Sequence, residues 1–421
     1  MRAMSNLQIT IIAAAFLQLI CQLILKWKNE SKIKSMKSKP PQGVSSIMDG
    51  ETWGKTSSYS LVKSRFSNLE EIIGFLVFVP VFLVLMPWYF QEFNTSAQAS
   101  VWASAFFTCI FLFLLQIPAL PLDWYNQFVI EVKYGFNKST KKLWVTDKIK
   151  GVIIGFILGF LILSLLIFLY RQLSTIFPVF WWVLSFLIFF SIQLAMMVLW
   201  PKLILPLFNK LSPLEDGELK NRLISLAERS GFHAHTIEVI DGSKRSGHSN
   251  AFFTGFGKFR RIVLYDTLIE QMKPEEIEAV LAHEVGHYIK GHIPKKLILS
   301  FITGLLMFGF IAYALSSPWI YKSVQFPTEL HGSLSSVIVL FSLSLGFLTY
   351  WFSPISNILS RKHEYEADNF AKEIMGNPMP LVHALRKLYK ENLTYPLPHK
   401  WISAFHYSHP TILEREAALH S

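Results

Sequence analysis

The chain has 421 residues, of which 52% are hydrophobic and only 16% charged, with 36 Phe and 12 Trp. A soluble domain carries about one-quarter charged residues, so this composition excludes an ordinary soluble enzyme and reads as a membrane protein. The net charge of +11 fits loops held on the cytoplasmic side of a polytopic chain; no recognised nucleic-acid-binding motif accompanies it, and no nucleic-acid partner is expected.

Seven stretches approach the roughly 20 apolar residues needed to cross a bilayer: near 5–27, 71–90, 100–122, 149–170, 178–200, 297–316 and 334–356. Positive charges follow the first of them (Lys26, Lys28, Lys32, Lys34) and only Arg2 precedes it, the order of a retained anchor, not of a cleaved signal. Cys21 and Cys109 both lie in apolar runs, which argues against a disulfide framework and a cysteine-ligated zinc site. Lysine and arginine crowd residues 28–70 and 123–150, whereas 91–99, 171–177 and 317–333 have almost none. The positive-inside rule then places the N-terminus outside or in a lumen and the large polar segments 201–296 and 357–421 in the cytoplasm. Asn94-Thr95-Ser96 is a glycosylation acceptor pattern in a predicted outer loop. The basic stretch around Lys28–Ser58 is expected to be mobile or to face lipid headgroups.

The expected fold class is therefore a predominantly α-helical polytopic membrane protein with about seven transmembrane helices and a small α+β subdomain at the cytoplasmic face. The expected division is 1–200 for five spans with basic loops, 201–296 for the α+β subdomain, 297–356 for two further spans and 357–421 for a helical C-terminal segment. Within 201–296, Leu214–Gly231 reads as an amphipathic helix, Thr236–Ile240 and Arg261–Tyr265 as strands, and Phe252–Phe259, with Gly255 and Gly257, as a strand entering a hairpin.

A helix follows from Pro274: proline suits the first helical position, Glu275 and Glu276 suit the positive end, and Ile277, Val280, Leu281 and Tyr288 recur at helical spacing. It carries His283-Glu284-Val285-Gly286-His287. Residues four apart stand one turn above each other, so His283 and His287 share a face and can take two corners of a tetrahedral zinc site. Glu284 lies beside that face as the general base, placed to take a proton from the attacking water and pass it to the leaving amine. The helix is expected to stop near Gly291, with a span beginning a few residues later, so the metal sits at the membrane boundary.

Catalytic zinc takes three protein ligands. The stretch Arg361–Ala371 offers several acids, of which Glu364 is the chosen third ligand; Asp368, one turn on, is placed to accept from the free ring nitrogen of a ligating histidine, and Arg361 stands in the same charged stretch as a further supporting residue. His292 does not fit the spacing of a third ligand. His248, His406 and His409 remain as non-ligand histidines.

At this point the chain resembles the type I CAAX prenyl protease family. The residues that carry the resemblance are Pro121–Tyr125, Gly135-Phe136-Asn137-Lys138, Ser243–Ser246 with His248-Ser249-Asn250-Ala251, His283–His287, Glu364 with Asp368, and His406–Pro410 with Glu414-Arg415. The resemblance implies a seven-helix zinc protease around a water-filled chamber, one zinc ion held by His283, His287 and Glu364, and Glu284 as base. It also implies that Asn250, Ala251 and His409 approach the substrate or the developing oxyanion, with Arg415 nearby as a substrate contact or paired with Glu364 or Asp368. The implied substrates are proteins or peptides ending in a prenylated cysteine followed by three residues, the last three being removed. Membrane lipid is the surrounding partner and a monomer is expected, in the endoplasmic reticulum of a eukaryote or the inner membrane of a bacterium.

Two rivals remain. A quality-control zinc protease of the HtpX type would lack prenyl specificity and about three of the spans. A transporter or channel with a structural metal site would show paired repeats broken at mid-membrane, and none is visible.

Overall fold

The computed structural model describes residues 3–95, 100–232, 236–254 and 261–421. Among the described residues, seven helices are long and apolar enough to cross a membrane: Asn6–Met36, Gly50–Asn94, Val101–Tyr134, Lys141–Ile176, Trp181–Phe208, His292–Leu315 and Leu334–Met375. Most exceed the expected apolar stretches because polar turns extend the same helix past the apolar window. Chain neighbours pack on one another, and the seventh span returns to the first, so the circuit closes. Proline at positions 80 and 87 removes backbone donors inside the second span, and the helix passes through π turns there.

The polar segment holds a four-stranded sheet in the order β1 (Leu211–Pro213), β2 (Thr236–Ile240), β4 (Arg261–Tyr265), β3 (Ala251–Thr254). β2 and β4 agree with the expected strands and pair in parallel, while β3 runs antiparallel to β4 and is an edge. The residues expected to continue β3 into a hairpin, 255–260, lie outside the described residues. The amphipathic helix spans Glu218–Arg229, shorter than expected at its N-terminal end because Leu214 is recruited by the sheet, its N–H donating to the Ile237 carbonyl.

Two sequence expectations need correction. The connection between the first two spans is neither loose nor lipid-facing. Val44, Ile47, Met48 and Trp53 are buried in one core with Leu223, Leu226, Leu264, Leu281, Leu385 and Ile412, and the Trp53 indole donates to the Met36 carbonyl at 2.9 Å. Its lysines obscured an apolar set that the polar subdomain needs to close its core. Asn94, the proposed glycan acceptor, is only 2% exposed at the end of the second span; a buried side-chain amide does not present itself to a transferase.

Candidate metal centre

The helix Pro274–Ile289 forms as expected, with Pro274 at its first turn and the Glu276 carboxylate accepting from the Lys273 N–H at 2.8 Å. It ends because Gly291 turns left-handed (φ +68°), a conformation that costs glycine little, and the sixth span starts at once at His292. The helix Ser353–Met375, the continuation of the seventh candidate span, packs directly across it. Gly286 permits the approach. A Cβ at that position would meet the Ala367 Cα and carbonyl oxygen at 3.0 Å and the Phe370 Cβ at 3.2 Å.

The crossing brings His283, His287 and Glu364 together. The two histidine Nε2 atoms lie 3.2 Å apart; Glu364 Oε2 is 3.4 Å from His283 Nε2, and Glu364 Oε1 is 3.3 Å from His287 Nε2. Ligand atoms roughly 2.0–2.1 Å from a tetrahedral ion are separated by about 3.3–3.4 Å; the two histidine nitrogens stand at close to that spacing and each has one Glu364 oxygen at it, so the three residues fit around one small ion. Glu364 Oε2 is buried without a hydrogen-bond partner, which is costly unless a cation satisfies it. Burial and the Arg415 guanidinium oppose charge on His283, yet the Asp368 and Glu364 carboxylates outweigh them and raise its pKa to about 9. The pocket is built to hold positive charge, and the donors fit a divalent metal.

The supporting contacts differ for the two histidines. His283 Nδ1 lies 2.8 Å from Asp368 Oδ1, as the sequence predicts, and Arg415 grips the same carboxylate from Nε at 2.8 Å. Arg415 is 7% exposed and its other nitrogen stands 4.0 Å from Glu364. Of the two roles open to it, the structure shows the pairing with Asp368. His287 Nδ1 instead faces His292 Nδ1 at 2.9 Å, and His292 Nε2 faces Glu366 Oε2 at 2.9 Å. The sequence had offered His292 only as a ligand and discarded it. Its placement after the Gly291 turn was the available signal, but only the fold shows that the turn folds it back.

Arg361 does not touch a metal donor. Its guanidinium donates to the Ser403 and Tyr407 carbonyls at 3.2 and 2.8 Å, tying down the segment that leads to His409. Arg361 stands one turn before Glu364 on a neighbouring part of the same helix face, and the contacts its guanidinium makes are with that segment.

A cavity of about 260 Å³ opens in front of the donors, lined in part by Asn250, Ala251, Glu284, Tyr389, His409 and Arg415. Burial raises the Glu284 carboxyl above its ordinary range, while the nearby His283 and His287 pull the other way. His409 Nε2 lies 3.5 Å from Glu364 Oε1. Its ring stays accessible to the cavity, and the surrounding protein lowers its pKa while the Glu364 carboxylate pulls the other way. Asn250 is exposed, and its carbonyl accepts from Tyr265 N–H as β3 begins.

The segment before Asn250 is pinned to the membrane helices. Lys138 N–H donates to the Arg245 carbonyl and Gly247 N–H to the Phe136 carbonyl. The His248 ring stacks on Phe136 at 4.0 Å and contacts Asn392 Oδ1 at 3.1 Å. His406 lies near the Tyr350 ring. Neither histidine approaches the donors closely enough to join the metal group.

Comparison with known proteins matches residues 30–210 to the family model described as CAAX prenyl protease N-terminal, five membrane helices, and residues 213–421 to Peptidase family M48. CAAX prenyl protease 1 of Saccharomyces cerevisiae is 36% identical over 92% of this chain and 89% of its own. The homolog of Oryza sativa is 34% identical over 90% and 89%, and the human homolog 31% over 90% and 88%. The crystal structure of S. mikatae Ste24p superposes with a TM-score of 0.88 at 35% identity, covering 100% of both chains.

Proposed function

The chain belongs to peptidase family M48, among the CAAX prenyl proteases, and is a multi-pass membrane metalloprotease; from that premise we propose that it is a zinc endopeptidase removing the last three residues of prenylated CAAX proteins or peptides. The observation that carries the reading is the convergence of His283, His287 and Glu364 on one small volume with Glu284 beside them in a cavity bordered by a strand edge. The relatives' names supply the substrate class.

His283, His287 and Glu364 would hold the ion, and an all-nitrogen and oxygen donor set suits zinc. When bound, zinc polarises the scissile carbonyl and acidifies the attacking water. Glu284 takes that proton in its partly desolvated position and returns it to the leaving amine. The outer edge of β3, at the end of the described sheet, is where an extended C-terminal peptide adds as a further strand, with Asn250 and Ala251 at its start beside the cavity. His409 donates to the oxygen that becomes negative, and Asn250 faces the same cavity. Arg415 acts through Asp368 and stands beside Glu364 at the cavity wall.

The same reading puts the N-terminus outside or in a lumen and the metal centre and C-terminus in the cytoplasm, with a monomer as the working unit. Endoplasmic reticulum is favoured because the named relatives are eukaryotic.

The test is cleavage of matched C-terminal peptides, prenylated and unprenylated, by detergent-purified wild type and Glu284→Gln, with zinc and with chelator. Release of the last three residues, enhanced by the prenyl group and lost in the variant and in chelator, is expected. Equal cleavage of both peptides would leave a quality-control protease, and metal-independent or absent cleavage would remove the reading.

A further inference from the structure

We infer that His292, backed by Glu366, is a positioning residue for the metal ligand His287 and sets how tightly the ion is held; this rests on the metalloprotease reading above.

A ligating imidazole gives the metal one nitrogen and must keep its proton on the other, and that proton needs an acceptor that fixes both tautomer and ring orientation. For His283 the acceptor is the Asp368 carboxylate. His287 has no carboxylate at its second nitrogen. What faces it is another imidazole, Nδ1 to Nδ1 at 2.9 Å.

The proton assignments then follow in order. His287 Nε2 lies among the donors, 3.3 Å from Glu364 and 3.2 Å from His283 Nε2, so it must be unprotonated to bind an ion and its proton sits on Nδ1. His292 Nδ1 is therefore the acceptor, and a neutral His292 carries its own proton on Nε2. That nitrogen lies 2.9 Å from Glu366 Oε2, which accepts it. One assignment satisfies both hydrogen bonds; reversing it turns a protonated Nε2 of His287 toward the ion.

The middle ring is held for this task. His292 is 1% exposed and its face stacks on the His363 ring at 4.0 Å with 14° between planes. It is the first residue of the sixth span, immediately after the left-handed Gly291. The turn that ends the metal helix thus delivers the support for the helix's own second ligand, and Glu366 comes from the helix that carries the third ligand. Any buried imidazole needs a partner at each ring nitrogen; here one of those partners is the metal ligand itself.

The experiment is zinc affinity of the full-length protein in detergent, read by competition with a chromophoric chelator, alongside thermal unfolding of the metal-free forms. His292→Leu removes the acceptor and should weaken zinc binding by about 10–100-fold. His292→Asn sets a carbonyl oxygen near the place of Nδ1 and should restore most of that affinity, a rescue that packing alone would not produce. Glu366→Ala, at a position 32% exposed on its side chain, should give an intermediate loss without unfolding the protein, and it decides the matter if His292→Leu does not fold. Wild-type affinity in His292→Leu or Glu366→Ala, or an Asn variant as weak as the Leu variant, would overturn the inference. Failure of the underlying reading looks different: wild type would not bind one zinc, or His287→Ala would bind it as tightly as wild type.

Discussion

Asp368 connects two residues that the chain keeps far apart, accepting from His283 and from Arg415 within a site that is almost wholly buried. Removing one partner of such a buried pair is severe because it strands the other charge, typically at about 3–5 kcal/mol. Arg415→Met is therefore expected to lower the unfolding temperature markedly and to loosen the metal, as measured by calorimetry and metal content; an unchanged protein would show that the guanidinium serves substrate alone. His409 is a different kind of residue, accessible to the cavity and with a lowered pKa. Its replacement by alanine should leave metal content intact and reduce kcat on the order of 10²-fold, the usual loss for one oxyanion donor. A change confined to KM would count against that role.

At the scale of elements, the site depends on how closely two helices cross. The glycine within His283–His287 is the contact point, and the atoms a side chain would strike at 3.0 Å are backbone atoms of Ala367, which cannot rotate away. Gly286→Ala should push the Glu364 helix outward and stretch the donor triangle. The cost of overpacking is typically about 1–3 kcal/mol, expressed here as weaker metal binding and lower activity, with the metal-free fold largely kept. Full metal affinity in that variant would mean that the helices slide without disturbing the donors. A second element-level dependence runs through the connection between the first two spans, whose Val44, Ile47 and Met48 close the core beneath the metal helix. The membrane and polar parts are thus not separable at residue 200.

Across the whole molecule, the proposed orientation rests on seven candidate spans among the described residues; an odd number of crossings would put the two ends of the chain on opposite sides of the membrane. With Cys21 and Cys109 replaced by serine, a single cysteine at Ser421 should react with a membrane-impermeant thiol reagent only from the cytoplasmic side, and one at Met4 only from the other. Labelling of both from one side would mean an even number of crossings. The same experiment tests the charge argument, because the basic stretch 28–70 on which it draws also contributes Val44, Ile47, Met48 and Trp53 to a packed subdomain.

The sequence by itself determined the local facts: the seven apolar runs, two of the strands at their observed limits, the metal helix with its proline start and glycine stop, and the i, i+4 histidine pair with its neighbouring glutamate. These are legible because helical period, apolar length and turn chemistry act over a few residues. Glu364 and Asp368 were legible as one helical face, while Asn250, Ala251, His409 and Arg415 were named only through resemblance to a family. The tertiary structure alone decided which face met which. It turned His292 back onto His287, sent Arg361 to the carbonyls before His409 and buried Asn94 and the apolar residues of the basic connection. Each of those outcomes depends on helices brought together from distant parts of the chain, and packing across such distances leaves no periodic trace in the residues that make it.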